Sequence, residues 1–347
     1  MASSGTNSDA QRVAAEALHG LLANRRDSGS RPGARADGAT IALVIEGGGM
    51  RGIVAAGMVT ALEQLGLTAA FDFIVGTSAG ALAGAFLLAG QPGMGTSLYY
   101  EELVGRDWLD YRRLLRREAP IGLDWLIDDV MAGEKALDWE RVIESPIPLY
   151  AVASELPEYR PALLGPFRSV PQLRDGLRAS ARIPVMAGRP VEVEGHEYVD
   201  GSLSQGIPLT SAESIGFTHV MVLLTRPRGE VRGRPTLLHR AVAFPVMNRL
   251  LPGLGTAFAG RADRYRDELA KIAALEVASS GDAILLAQLP AGAPTVKQLA
   301  QDPNSLFSGA VAGATAVYEA LNQDVPVFYR GLVPLKSNAD VSLRAQH

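Results

Sequence analysis

Short apolar runs of strand length alternate along this chain with longer stretches in which apolar residues recur at helical spacing. The strand candidates are Ile41–Ile45, Phe73–Val75, Pro148–Ala153, Val191–Val193, Glu197–Val199 and His219–Leu224. Helical patterns cover Gly52–Leu65, Ser78–Ala89, Trp125–Met131, Val170–Ala181 and Arg261–Ala278. Strand followed by helix, repeated, predicts an α/β fold of three αβα layers around a mostly parallel central sheet. No internal repeat or low-complexity block interrupts it, so residues 39–335 read as one domain. Residues 1–38 read as a flexible extension, with an amphipathic helix over Asp9–Ala23 and a loose linker over Arg25–Gly33. Residues 336–347 read as a loose tail.

Two glycine-rich turns follow directly on strand candidates. The first strand runs into Gly47-Gly48-Gly49-Met50-Arg51-Gly52, and the second into Gly76-Thr77-Ser78-Ala79-Gly80. A strand, a glycine-flanked serine and then a helix is the nucleophile-elbow pattern, in which small neighbours permit a turn tight enough to lift a hydroxyl clear of the sheet. The upstream glycines offer backbone N–H groups that could hold an oxyanion. Together they read as an acyl-transfer site. The bland alternative is that Thr77 and Ser78 merely cap the helix that follows.

A serine nucleophile needs a base. The best candidate is Asp200, placed by a tight hairpin at Glu194-Gly195 at the end of a strand and followed by Gly201. Asp-Gly is also a common turn dipeptide. The glycine loop admits a second interpretation, because Gly47, Gly49 and Gly52 satisfy the G-x-G-x-x-G spacing of dinucleotide-binding loops. On that interpretation the chain is an NAD- or FAD-binding oxidoreductase, with Asp72 as the ribose-binding acid. Asp72 precedes or opens the second strand, however, whereas the fingerprint puts its acid after that strand.

Composition narrows the classes. A formal net charge of −4 argues against a nucleic-acid partner. The absence of cysteine excludes disulfides, thiolate metal sites and a cysteine nucleophile. Five histidines show no paired metal-ligand spacing, so neither a metal nor another cofactor is expected. There is no signal-peptide layout at Met1–Gly5 and no apolar stretch of membrane-spanning length. The expectation is a cytoplasmic protein, with peripheral contact at the inner membrane face left open. Residues 241–252 are apolar with basic flanks at Arg240 and Arg261, a pattern shared by a core helix and by a lid over residues 239–260.

Three ordered motifs, the Gly47–Gly52 loop, Gly76–Gly80 and Asp200-Gly201, resemble the patatin-like phospholipase family. Ala179-Ser180-Ala181-Arg182-Ile183-Pro184 is similar to that family's A-S-x-x-I-P stretch, and the resemblance runs from Ile41 to about Leu224. Later segments, such as Leu238–Val242, look like its bacterial branch. The resemblance implies a patatin-like fold and hydrolysis of lipid acyl esters, of phospholipase A or lysophospholipase type, through a Ser78–Asp200 dyad. Backbone N–H groups of Gly48 and Gly49 would hold the oxyanion, with Arg51 nearby, and Gly76, Gly80 and Gly201 would shape the elbow and turn. One departure is Ser202, where the family usually shows glycine or alanine. Two alternatives compete. A triad could recruit His219 or His239, and a degenerate hydrolase could act as a non-catalytic lipid-binding regulator.

Overall fold

The computed structural model of the chain describes residues 17–237, 239–277 and 283–326. Among the described residues eight strands form one sheet: β1 (Ile41–Ile45), β2 (Phe73–Thr77), β3 (Leu149–Glu155), β4 (Arg160–Leu164), β5 (Val191–Val193), β6 (His196–Asp200), β7 (His219–Leu224) and β8 (Ala283–Gln288). The early helices are α1 (residues 17–27), α2 (Gly52–Gln64), α3 (Ala79–Leu88) and α4 (Pro92–Glu101). The short α5 (Leu123–Trp125) and α6 (Trp139–Ile143) precede α7 (Val170–Ala181) and α8 (Leu209–Ile215). The last three are α9 (Phe244–Leu250), α10 (Leu254–Val277) and α11 (Pro303–Ala320).

The strand order is β5-β6-β3-β2-β1-β7-β8, with β4 on the remaining edge of β3. From β3 through β2, β1 and β7 to β8 all pairs are parallel, whereas β4, β5 and β6 join antiparallel. Alternate side chains of each central strand feed two cores. Ile41, Leu43 and Ile45 enter one core with α2, α3 and α11, while Ala42 and Val44 enter the other with α8 and α10. The three-layer αβα expectation describes this arrangement. Strands β4 and β8 are ones the periodicity did not single out.

Register along β3 decides where the chemistry sits. Its Ala151 and Val152 pair with both β2 and β4, and Ala153 to Glu155 pair with both β4 and β6. A strand has two edges, so β4 occupies one edge throughout. On the other edge β2 ends at the Thr77–Val152 pair, and β6 takes over in the opposite direction from the Ala153–Asp200 pair. The two strands therefore meet end to end, with Thr77 and Asp200 at the junction.

The described part of the N-terminal extension corrects the expectation of a flexible segment. Leu18 and Leu22 of α1 are buried in the main core. Arg25, placed in the expected linker, is 2% exposed. Its guanidinium donates to Asp37 at 2.7 and 2.9 Å, to Asp72 at 2.7 Å, and to the carbonyls of Ala70 and Ala39 at 2.7 Å each. Arg35 also donates to Asp72. A linker composition was legible, but the partners lie 12 and 47 positions away and local sequence does not display them. The first half of the expected Asp9–Ala23 helix and the 336–347 tail lie outside the described residues.

Arg25→Met should lower unfolding free energy by about 3 kcal/mol, because it strands carboxylates that the guanidinium satisfies. Urea denaturation at neutral pH measures this. The Arg25 hydrogen bond holds the Asp37 carboxyl at about 2, below its ordinary value. The associated stability is complete above the ordinary carboxylate value of roughly 4 and is lost as pH falls through about 2. The gap between wild type and Arg25→Met should therefore narrow over that acidic window.

Candidate active site

Ser78 occupies the turn between β2 and α3 with φ 54° and ψ −123°, a conformation that costs a non-glycine residue energy. Close approach on both sides explains the flanking glycines. A Cβ on Gly76 would lie 2.4 Å from the Ala81 nitrogen, and one on Gly80 would lie 2.4 Å from the Ile45 carbonyl oxygen. Any side chain there would push the elbow off the end of the sheet. Although Ser78 stands at the N-cap position of α3, its side chain makes no capping hydrogen bond. Its hydroxyl donates instead to Asp200 Oδ2 at 2.7 Å, across 122 positions of sequence. The simple capping interpretation of Ser78 does not describe this geometry.

Asp200, 3% exposed, uses both carboxylate oxygens. Oδ2 accepts from Ser78, and Oδ1 accepts from the Ser202 N–H at 2.8 Å as an N-cap would. The turn role and the base position therefore coexist in one side chain. The backbone is fixed too, because Asp200 N–H donates to the Arg182 carbonyl at 2.8 Å and its carbonyl accepts from Ser154 Oγ at 2.9 Å. Gly201 is required by contact, since a Cβ there would lie 2.1 Å from the Val152 oxygen.

Ser180, which sequence reasoning quoted only as part of a motif, braces the elbow. Its hydroxyl accepts from the Ser78 N–H at 2.8 Å and donates to the Val152 carbonyl at 2.6 Å. One buried side chain thus ties the Ser78 backbone to the last residue of β3 that pairs with β2. The signal was its place in a serine-bearing stretch three residues from Ile183, but nothing local marked the bond.

The six residues of the first glycine loop divide into distinct roles. Gly47 N–H donates to the Gly206 carbonyl, Met50 N–H to the Gln298 carbonyl and Arg51 N–H to the Gly48 carbonyl. Gly52 begins α2 and its N–H is shared between Gly49 and Met50 carbonyls. Among the described residues the N–H groups of Gly48 and Gly49 have no acceptor, and these two residues line the same cavity as Ser78 and Asp200. Gly49 takes φ +58°, and a Cβ on it would lie 2.8 Å from the Gln298 oxygen. Of the residues expected around an oxyanion, this geometry leaves Gly48 and Gly49 with free donors.

Arg51 turns away from that cavity. It is buried, donates to Thr225 Oγ1 at 3.2 Å and lies near Glu46 and Arg226, with burial pulling its pKa down. Glu46 Oε2 accepts from Thr225 N–H at 2.6 Å. The pair braces the loop against the end of β7. Electrostatic support from Arg51 at the oxyanion position is corrected accordingly.

Neither candidate histidine is brought to Ser78. His219 opens β7 and pairs in register with Ile41, at the end of the parallel sheet opposite the elbow. His239 is exposed and its Nδ1 lies 2.7 Å from Thr236 Oγ1. Asp72 likewise sits at that opposite end, accepting from Arg25, Arg35 and the Ile41 N–H. The glycine loop lies past the C-terminal end of β1, so the nucleotide interpretation loses its ribose-binding acid to a structural ion cluster.

Ser78 and Asp200 line a cavity of about 430 Å³, walled mainly by apolar side chains including Ile183, Met186, Leu203, Met247, Leu254 and Phe258. Its cation is Arg261 on α10, which sequence reasoning noted only as a basic flank. Burial, then the neighbouring Arg232, pushes the Arg261 pKa down to about 9, against the opposing pull of Asp200. It remains charged at neutral pH. The stretch read as core or lid is mixed. Phe244 is buried against Phe258, whereas Val242, Val246 and Leu250 are exposed. Among the described residues no helix is long and apolar enough to cross a membrane.

A curated relative, the uncharacterized protein YjjU of Escherichia coli (strain K12), is 33% identical over 190 residues, spanning 54% of this chain and 52% of that protein. The chain thus covers about half the length of that relative. The crystal structure of VipD from Legionella pneumophila aligns over 90% of this chain and 75% of that one, at 14% identity and a TM-score of 0.44. Full-length ExoU of Pseudomonas aeruginosa, solved in complex with SpcU, aligns over 68% and 54% at 16% identity and a TM-score of 0.26. The family model described as patatin-like phospholipase matches residues 43–213, a span that begins in β1 and holds the glycine loop, Ser78, Ser180 and Asp200. By that match and the fold that carries it, residues 43–213 are a domain of the patatin-like phospholipase family.

Proposed function

We propose that this chain hydrolyses acyl esters of lipids, of phospholipase A or lysophospholipase type, with Ser78 as nucleophile and Asp200 as base. The observation that carries the proposal is the 2.7 Å hydrogen bond from a strained-elbow serine to a buried carboxylate, at the wall of an apolar cavity. Ser78 Oγ attacks the ester carbonyl carbon as its proton passes to Asp200 Oδ2. The carbonyl oxygen becomes an oxyanion, held by the N–H groups of Gly48 and Gly49. Collapse breaks the ester C–O bond, and Asp200 returns the proton to the departing alkoxide. Water then gives a proton to Asp200 and attacks the acyl-enzyme, and the proton goes back to Ser78 as the fatty acid leaves.

The cavity mouth supports peripheral membrane contact. Two segments each send one residue into its wall, Tyr111 from a short 3₁₀ helix over Tyr111–Arg116 and Met247 from α9. Both also expose apolar side chains: Leu114 and Leu115 on the first, Val246 and Leu250 on the second. Arg112, Arg113 and Arg116 lie on the first, Arg117 follows it, and Arg249 lies on the second. Apolar residues among cations suit an anionic lipid surface.

A fluorophosphonate probe should label Ser78 in the wild type and in His219→Ala and His239→Ala. Asp200→Asn should reduce labelling and ester turnover by roughly 10⁴-fold, as expected when a serine loses its proton acceptor. A folded wild-type protein that neither labels nor turns over any ester would instead favour the non-catalytic lipid-binding regulator. Ser180→Ala should slow labelling at least about tenfold and lower stability by roughly 1–3 kcal/mol, because the Ser78 N–H then loses its acceptor. Leu115→Asp with Val246→Asp should weaken sedimentation with phosphatidylglycerol vesicles and depress vesicle hydrolysis more than hydrolysis of a soluble ester. Equal loss on both substrates would remove the membrane-contact proposal.

A further inference from the structure

Ser202 stands where the family usually has glycine or alanine, and its extra hydroxyl has a specific partner. Arg261 Nη2 donates to Ser202 Oγ at 2.9 Å, and Arg261 Nε donates to the Ser202 carbonyl at 3.1 Å. The N–H of the same serine donates to Asp200 Oδ1. One residue therefore links the guanidinium to the carboxylate that accepts from Ser78. From beneath, the Phe258 ring holds the guanidinium, with Cζ 4.7 Å from the ring centroid.

A guanidinium carries five N–H donors, and these contacts occupy two of them. Among the described residues no carboxylate forms an ion pair with Arg261. Its charged neighbours are the cations Arg232, Arg226 and Arg264, with Asp200 as the opposing charge. A cation held rigidly in an apolar cavity, with donors unspent and no dedicated counter-ion, is costly unless an anion arrives to meet it. The planar fork suits a phosphate, which can accept two parallel N–H bonds.

We propose that Arg261, fixed by Ser202, is an anion subsite that receives a phosphate group attached close to the scissile ester and so selects phosphate-bearing acyl esters over neutral glycerides. The assignment rests on the ester-hydrolase proposal above. It adds a specificity-determining residue on α10, outside the family-matched residues 43–213. The apolar wall takes the acyl chain, Ser78 meets the carbonyl, and Arg261 fixes the headgroup end.

The test compares dihexanoylphosphatidate with dihexanoylglycerol, both below their critical micelle concentrations so that no lipid surface takes part. The wild type should favour the phosphatidate in kcat/KM. Arg261→Met should lower the phosphatidate-to-glyceride ratio about 10- to 100-fold, chiefly through KM, the range expected for losing a charged hydrogen bond. Arg261→Lys should keep part of the preference, as charge without the fork, and Ser202→Ala should reduce it less than Arg261→Met does. An unchanged ratio in Arg261→Met, with both esters losing or keeping turnover together, overturns the subsite while leaving the hydrolase proposal intact. Inorganic phosphate that inhibits glyceride turnover near the phosphatidate KM would assign the site to free phosphate and overturn the headgroup assignment. If the wild type turns over neither ester and Ser78 resists the fluorophosphonate, the hydrolase proposal fails on its own. Calorimetric binding of the phosphatidate to Ser78→Ala, with and without Arg261→Met, then decides the subsite separately, a loss of at least about tenfold supporting it and equal affinity overturning it.

Discussion

Strand β3 is longer than its parallel neighbour β2, and its edge beyond Val152 would be left with unpaired backbone groups. Strand β6 fills that edge from the opposite direction, so two strand termini abut at the Val152–Ala153 step. The contact between Ser78 and Asp200 follows from this junction. A parallel ladder and an antiparallel ladder cannot merge without gaps, and serine hydroxyls close them: Ser180 bonds the Val152 carbonyl and Ser154 the Asp200 carbonyl. Buried backbone polar groups demand such partners. Once the ends are fixed, the residue after Thr77 and the last residue of β6 face each other. The Ser78–Asp200 contact is thus imposed by sheet topology, not by the folding of a loop.

A buried carboxylate is tolerable only with hydrogen bonds and a favourable field. Asp200 has the Ser78 hydroxyl, the Ser202 N–H and the opposing charge of Arg261. The Gly47–Gly52 loop is held by a different set of contacts. Glu46, Arg51 and Thr225 lock it to the end of β7, and the Gln298 carbonyl takes the Met50 N–H. The Ser78–Asp200 pair and the glycine loop therefore rest on separate supports at the C-terminal ends of the strands. Preorganised donors of this kind need no rearrangement when charge develops.

The strands β1, β2, β3 and β7, the elbow, the glycine loop and Asp200 were legible because each is written locally, the strands as apolar runs and the rest as turns bearing glycine or aspartate. What escaped was written at a distance. Chain order alone allowed His219 as a triad member, and only the parallel register shows it at the wrong end of its strand. The sequence Ala283–Gln288 is a short apolar run that periodicity cannot separate from a buried helix segment, and β4 is a strand carrying a proline. Ser180 sits within a helix, where its bond to Ser78 across 102 positions leaves no periodic trace. The glycine loop was legible as a whole, but which of its N–H groups remain free depends on Gly206 and Gln298, far along the chain.

Arginine shows the same limit most sharply, because side chains of one type carry opposite meanings here. Arg25 donates to two carboxylates and two carbonyls, and Arg182 is met by Asp124 and the Ala187 carbonyl. Both are paired with carboxylates, and each holds separate parts of the chain together. Among the described residues Arg261 donates to one neutral serine, at the wall of the cavity that Ser78 also lines. Composition cannot tell these apart, although Arg25 and Arg182 are buried and Arg261 is half-buried. The chemistry of the partners does: Arg25 and Arg182 each meet a carboxylate, whereas among the described residues Arg261 pairs with none and stands at the wall of a cavity.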